Sequence, residues 1–156
     1  MPNASKEEKW LASSTSGPCV CSQLRRTARK VSALYDSALA SSGLTVTQHA
    51  LLVNIARTEQ ISVTALAARL GMDRTTLSRN LRPLEKALLI ATVRSDDRRE
   101  RLLRVSALGR RKLQRSYDLW ESAQERFAFE AGVELLHKLR TVLQAAEEAA
   151  DMANRR

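Results

Sequence analysis

The chain has 156 residues and a formal net charge of +9, which is enough for one domain with its own core. Its apolar runs are short and interrupted by charge, which argues against a transmembrane span. Its first residues lack the basic-then-apolar order of a secretory signal, so we expect a cytoplasmic protein. Cys19 and Cys21 are too close in sequence for a disulfide framework of the secreted kind.

The first elements are predicted from composition and periodicity. Residues 1–17 are polar and rich in Ser and Thr, which predicts a flexible arm. Pro18 suits the first position of a helix, and apolar residues at helical spacing extend this helix to Gly43. Thr45, with a glutamine three residues later, forms a capping box that starts a second helix. A short third helix is expected to end at Gly71.

The segment ALAARLGMDRTTLSRNL predicts two helices joined by a tight turn, a helix-turn-helix. Gly71 permits the left-handed backbone of the turn, and Asp73 is expected to cap the fourth helix. By itself this pattern is moderately specific, because many helical hairpins turn at a glycine. The predicted apolar face of the fourth helix carries Leu77, Leu81, Leu84 and Leu88.

The opposite face of the fourth helix is polar and basic, as expected of a helix that enters the major groove of DNA. Residues near its start would reach base edges, and Arg82 and Lys86 would meet phosphates. A solvated helix face is the alternative, which the equally basic segment beside it makes weaker. The predicted DNA contacts of the helix are Arg74, Thr75, Thr76, Ser78, Arg79, Arg82 and Lys86.

Two short apolar arms flank the charged stretch RSDDRRER, residues 94–101, and predict a β-hairpin. Ala91 and Val93 are expected to face the same way as Leu103 and Val105. A hairpin directly after a recognition helix is a wing, and arginines suit the narrow, negative minor groove. The predicted contacts of the wing are Arg94, Asp97, Arg98, Arg99 and Arg101.

Asp97 is an acid at a tip that is expected to face DNA, where it would repel phosphate unless it were paired. We expect it to accept hydrogen bonds from Arg94 or Arg99 and to hold one arginine in an inserting geometry. On that hypothesis, removal of the Asp97 carboxylate weakens DNA binding although it removes a negative charge.

Charge and apolar patterning indicate two kinds of partner. Residues 69–115 hold 14 Lys and Arg against 5 Asp and Glu, which is typical of a surface that binds a polyanion. Nucleic acid fits better than a membrane surface, because the basic segment is not one long amphipathic helix. Ser106 is predicted to cap a fifth helix, and Gly132 to separate it from a sixth. The apolar face of the fifth carries Leu113, Tyr117, Trp120 and Phe127; that of the sixth carries Leu135, Leu139, Val142, Ala146 and Ala153.

A small DNA-binding lobe cannot cover the long apolar stripe of the sixth helix. Pairing of the first, fifth and sixth helices across a twofold axis would bury it, so we expect a homodimer. Two recognition helices would then reach major-groove faces roughly 10 bp apart. A monomer that packs its ends within itself is the alternative.

The chain from about Cys19 to Gly132 resembles the MarR family of winged-helix transcriptional regulators in the segments LTVTQHALL, LAARLGMDRTTLSRNLRPLE and DDRRERLLRVSALG. The resemblance implies a mainly α fold with a small β-hairpin wing: a winged helix-turn-helix with terminal dimerisation helices. It also implies a homodimeric repressor that binds a pseudo-palindromic operator in double-stranded DNA. This chain departs from the family pattern in three ways that affect the expected angle of the wing. Leu88 stands where the family usually has a glycine after the recognition helix, and Ser106 stands where threonine is common. The wing is also one residue shorter than is usual in the family.

The predicted organisation has four parts. They are a flexible arm over residues 1–17, a dimerisation helix over 18–44, a winged helix-turn-helix lobe over 45–109 and C-terminal dimerisation helices over 110–156. No cofactor is expected.

The resemblance further implies an input, either a small aromatic or anionic effector or an oxidant that acts on cysteine. In an ungapped comparison with the family's organic-hydroperoxide sensors, Cys21 falls on their reactive cysteine. Its place in the first turn of a helix, with Arg25 one turn on, favours the thiolate. The two tyrosines that support the thiol in those sensors are Val46 and His49 here. Cys19 or a thiol of the partner subunit would complete a disulfide.

Other interpretations of these residues stay open. Cys19, Cys21 and His49 could bind a metal, although three scattered soft ligands are a weak signal; otherwise both cysteines are ordinary thiols near the dimer interface. His137 is expected at the surface. The candidates to meet an aromatic acid are Arg29, His49, Tyr117 and Trp120, but core packing is the stronger explanation of the two aromatic residues.

The rival classes of function are weaker. An enzyme is not expected, because CVC lacks the two-residue spacing of a redox pair and no glycine-rich phosphate loop, paired-carboxylate site or Ser/His/Asp set is present. A thiol-based redox protein or a metal-binding protein without sequence-specific DNA binding is the alternative function. A structural or RNA-binding protein would bind single strands as well as duplex.

Overall fold

The computed structural model describes residues 18–94 and 101–155, over which five α-helices and three β-strands form. The helices are α1 (Val20–Leu39), α2 (Val46–Ala56), α3 (Val63–Arg69), α4 (Arg74–Lys86) and α5 (Ala107–Asn154), and a 3-10 turn (Ala40–Ser42) follows α1. The strands are β1 (Ile61–Ser62), β2 (Ile90–Arg94) and β3 (Arg101–Val105). Mainly helical content with one small antiparallel sheet confirms the predicted fold class. Over the same residues, no helix is both long and apolar enough to cross a membrane.

The chain divides into two compact units, Met1–Leu34 and Tyr35–Arg156, and the division falls within α1. In the first unit the described residues begin at Pro18, and the helix begins two residues later than predicted. The reason is local: the backbone carbonyl of Cys19 accepts the first helical hydrogen bond, from the amide of Gln23 at 3.1 Å.

The N-termini of the helices follow the caps that the sequence predicts. Thr45 forms a complete capping box on α2, Asp73 accepts a hydrogen bond from the amide of the third residue of α4, and Ser106 does the same on α5. Ser62, which was not predicted as a cap, begins α3 in the same way. Short polar side chains therefore set where four of the helices begin.

The second unit has one apolar core, formed where α2, α3, α4 and the sheet pack together. Leu77, Leu81 and Leu84 of α4 are buried in it, as predicted, but Leu88 is 71% exposed. The prediction for Leu88 is wrong because α4 ends at Lys86 and Leu88 has a φ of +55°. A left-handed residue reverses the chain after a helix, and for leucine this conformation costs roughly 1–2 kcal/mol.

The sheet has three strands in the order β1-β3-β2, one more than the predicted hairpin. The added strand, β1, is only two residues long and pairs Ile61 with Leu103. It closes the free edge of β3 and contributes a buried isoleucine to the core.

The two strands of the predicted hairpin are present, but the residues of β2 that face the core are shifted by one position from the prediction. Ile90 lies opposite Val105, and both are buried together with Leu103. Ala91 and Val93 therefore lie on the other face, because a shift of one residue along a strand exchanges its two faces.

The long helix α5 is interrupted at Gly132, whose φ of 73° and ψ of 155° are not helical. This confirms the predicted break between a fifth and a sixth helix. Past the break the chain exposes large apolar side chains, including Val133 (85%), Leu135 (55%) and Val142 (62%). Before the break, Tyr35 near the end of α1 donates a hydrogen bond to Gln124 at 2.9 Å.

Candidate nucleic-acid interface

The face of α4 opposite the core is polar and basic. With Leu77 fully buried on the inner side, six of the seven predicted contacts are exposed and Thr76 is half-buried. The exposed residues are Arg74, Thr75, Ser78, Arg79, Arg82 and Lys86. One helix surface therefore presents four cations and two small hydroxyl side chains together.

Asp73 shapes the start of this face. Its Oδ1 accepts a hydrogen bond from the amide of Thr76 at 2.8 Å. Hydrogen bonds from Thr76 lower the pKa of the Asp73 carboxyl, and the positive charge of Arg79 contributes less. The carboxylate is therefore ionised at neutral pH and fixes the first turn of α4. Over residues 18–94 and 101–155, none of the four cations of α4 forms an ion pair.

The wing is described at its base but not at its tip. Asp97, Arg98 and Arg99 lie outside the described residues, so the pairing proposed for Asp97 stays a prediction. Arg94 ends β2, with its backbone opposite Arg101.

Arg101, whose predicted contact with DNA stays a prediction, has partners within the chain. Its guanidinium forms an ion pair with Glu85 on α4 and lies 3.4 Å, from Nε to Oγ1, from Thr92. The interface therefore contains an acid that the sequence analysis did not single out.

The fold and this basic face can be compared with known proteins. The sequence model of the MarR family matches residues 42–100. The Mycobacterium tuberculosis transcriptional regulator MosR, in a crystal structure with DNA, is 34% identical, with a TM-score of 0.74; the match covers 84% of this chain and 98% of that one. The chain belongs to the MarR family. Membership identifies a transcription regulator and not an enzyme.

Two further solved structures are similar to this MarR-family chain. A probable transcriptional regulator from Pseudomonas aeruginosa is 25% identical, with a TM-score of 0.73, over 81% of this chain and 96% of that one. The transcriptional repressor CouR, bound to a 23-mer DNA duplex, is 24% identical, with a TM-score of 0.74, over 83% and 92%; this likeness shows the fold alone. No curated protein sequence is similar enough to count as a match.

Both cysteines of this MarR-family chain lie in the first unit and are exposed. Hydrogen bonds with the side chain and backbone of Ser22 lower the pKa of the Cys19 thiol, although burial acts weakly in the other direction. The environment of Cys19 therefore favours the thiolate. Arg25 and Arg29, further along α1, are exposed.

A cleft of about 1060 Å³ lies between α2 and α5 in the second unit. Three of the four predicted effector-binding residues, His49, Tyr117 and Trp120, line it. The rings of His49 and Trp120 are stacked, with centroids 5.8 Å apart and planes 12° from parallel. The ring centroids of Trp120 and the half-exposed Tyr117 are 6.1 Å apart. Aromatic side chains therefore line one side of the cleft, so these residues are not confined to the packed core.

His49 is the buried polar group of this cleft, and its Nδ1 lies 3.0 Å from Ser116 Oγ. Ser116 directs its single hydroxyl hydrogen at the carbonyl of Leu113, at 2.9 Å. It can therefore only accept from Nδ1–H of His49, which leaves Nε2 as an acceptor. Burial lowers the pKa of His49, so the ring is neutral at pH 7.

Two cations of the cleft were missed by the sequence analysis. Arg57 is the C-cap residue that follows α2, Arg110 lies near the start of α5, and both line the cleft. Because the two arginines are more than fifty residues apart in sequence, their spacing does not indicate that they line the same cleft. In contrast, His137 is exposed as predicted. In the two described ranges, no three histidine, cysteine or carboxylate side chains are grouped as metal ligands would be.

Proposed function

We propose that this protein is a homodimeric, sequence-specific regulator that binds double-stranded DNA, and that it acts as a repressor. The observation that carries the proposal is the exposed face of α4, on which four cations and two hydroxyl side chains lie beside the base of the wing. A helix of this kind fits the major groove, with side chains near its start at base edges. DNA-bound MosR supports duplex DNA as the partner. A cytoplasmic location fits a regulator of this kind.

The dimer is supported by the end of α5. Phe129, Val133 and Val142 are 62–85% exposed in the single chain. Exposed apolar area of this extent marks an interaction surface. A second copy of the chain, related by a twofold axis, would bury it and would place two copies of α4 for a pseudo-palindromic operator.

Selection of duplex DNA from a random pool with the purified protein tests the proposal. We expect one pseudo-palindromic sequence to be enriched, with half-sites about 10 bp apart. If a dimer neutralises about 8 phosphates, log affinity falls with log salt at a slope near −7. A flat salt dependence, or equal affinity for single-stranded competitors, would contradict the proposal and favour a structural or RNA-binding role.

Two routes of release from DNA are proposed, as alternatives. In the first, a hydroperoxide oxidises one thiolate to a sulfenic acid and leaves as the alcohol; a second thiol then displaces water to form a disulfide. The lowered pKa of exposed Cys19 supports this route. Cys21 or a thiol of the partner subunit would supply the second sulfur.

In the second route, a small aromatic anion binds the cleft between α2 and α5. Its ring would lie against Trp120 and Tyr117, and its charge would meet Arg57 or Arg110. His49 Nε2 would accept a hydrogen bond from a phenolic hydroxyl group of the ligand. The effector contact predicted for Arg29, in the first unit, stays a prediction by itself.

Release of a labelled operator separates the two routes. Under the first, cumene hydroperoxide releases the wild type, and the double variant Cys19→Ser, Cys21→Ser stays bound. Under the second, benzoate releases the wild type, and Arg57→Ala needs about tenfold more of it, because a charge-assisted contact is lost. If neither reagent changes operator affinity, release by an organic hydroperoxide and release by a small aromatic anion are both wrong.

A further inference from the structure

The recognition helix and the wing are joined by an ion pair. Arg101 is the first residue of β3, and its Nη2 contacts Oε1 of Glu85 in the last turn of α4. Its Nε also lies 3.4 Å from Oγ1 of Thr92 on β2. One side chain therefore connects α4 with both strands of the wing.

The position of this pair along the hairpin gives it a mechanical consequence. The β2–β3 ladder runs from Ile90 opposite Val105 to Arg94 opposite Arg101. At the first end, Ser106 Oγ donates to the carbonyl of Leu88 at 2.7 Å, which ties the hairpin to the chain just after α4. At the end next to the tip, Arg101 and Glu85 form the corresponding tie. Of the two ion pairs in the described part of the chain, this is the one that joins different elements.

We propose that Glu85 and Arg101 are positioning residues for DNA binding. The pair holds the tip end of the wing at a set distance from α4, so that helix and wing meet one duplex without further ordering. The proposal rests on the proposed DNA-binding function, and it replaces the direct DNA contact predicted for Arg101 with an indirect role. The hydroxyl of Thr92 accepts a long hydrogen bond from Nε of Arg101.

The ion pair between Glu85 and Arg101 contributes more to the position of the wing than to the stability of the fold. The side chains of Arg101 and Glu85 are 44% and 29% exposed, and exposed ion pairs contribute little to folding. A wing tied at one end only would have to be ordered when DNA binds, which lowers affinity. Loss of the pair should therefore weaken binding while leaving thermal unfolding nearly unchanged.

The sign of the effect of Glu85→Ala is the critical observation. Removal of an acid beside DNA should strengthen binding if only long-range charge matters. The proposal predicts the opposite, about fivefold weaker binding to the selected operator, because the wing is no longer held. Binding as tight as wild type, or tighter, overturns the proposal. If Glu85→Ala unfolds below assay temperature, Glu85→Gln, which keeps an acceptor for Arg101, should weaken binding about twofold.

Salt dependence distinguishes positioning from phosphate contact. Arg101→Ala is expected to weaken binding about fivefold at every salt concentration, whereas loss of a phosphate contact makes the slope shallower by about 1. Lys86→Ala, next to Glu85 and exposed on α4, is the matched control and should show that shallower slope. The same change of slope for Arg101→Ala overturns the proposal.

Exchange of the two charges gives an independent test. The double variant Glu85→Arg, Arg101→Glu keeps the net charge and can form the pair in reverse, so we expect binding within about twofold of wild type. Folded protein that binds no better than the single variants overturns the proposal. Wild-type protein that fails to bind any duplex would instead disprove the proposed function, which is measured first.

Discussion

Gly109→Ala is expected to destabilise the protein by about 3 kcal/mol, at the upper end of the cost of overpacking a tight site. A Cβ at this position would lie 2.1 Å from the carbonyl oxygen of Leu89 and 2.8 Å from Cγ1 of Val105. The carbonyl of Leu89 cannot move freely, because it accepts a hydrogen bond from the amide of Ser106 at 3.0 Å. The methyl group would therefore push the start of α5 away from the sheet.

Urea unfolding at one fixed protomer concentration measures this effect, since the stability of the proposed dimer would depend on concentration. A loss of about 3 kcal/mol corresponds to a fall in Tm of roughly 10 °C for a chain of this size. Gly71→Ala is the control: its Cβ would meet nothing within 4 Å, and its φ of +59° costs about 1 kcal/mol in an alanine. Equal losses for the two variants would show that steric contact at Gly109 is unimportant.

Replacement of both Arg74 and Arg79 by alanine is expected to weaken operator binding by roughly 100-fold or more, because each contact with a base edge contributes about 1–3 kcal/mol. Both side chains are exposed near the start of α4, on the face opposite buried Leu77. The preference for the selected operator should relax at the base pairs that they contact. Fluorescence anisotropy with the operator and with scrambled duplex measures both quantities.

The matched control is Arg126→Ala, which removes an exposed arginine of α5 away from the proposed interface. It should change affinity by less than about twofold beyond the loss of long-range charge. Gel filtration of each variant checks that the oligomeric state is retained. An Arg126 variant that binds as poorly as the double variant would show that overall charge, and not the face of α4, carries affinity.

Local features of the sequence predicted much of the fold. Thr45, Asp73 and Ser106 begin helices as expected, because a cap is an interaction between residues three apart. The same holds for the left-handed turn at Gly71 and the break at Gly132. The polar face of α4 followed from the spacing of its leucines.

Features that depend on pairing between elements were missed or misplaced. Strand alternation gave no register, so Ala91 was assigned to the wrong face of the hairpin. Apolar periodicity also continued to Leu88, although the chain reverses there with a positive φ. The family resemblance had already marked this position as unusual, because Leu88 stands where the family usually has a glycine. A two-residue strand such as β1 carries no detectable period.

The helices, their caps and the concentration of positive charge could be predicted from the amino-acid sequence, because these depend on residues within about one helical turn of each other. The contact of His49 with Ser116, 67 residues away, and the ion pair of Arg101 with Glu85, 16 residues away, became visible only in the folded chain. Such contacts depend on the path of the chain through the core and not on local spacing. For that reason the basic, exposed face of α4 could be predicted from the residues, whereas the ion pair between α4 and β3 could not.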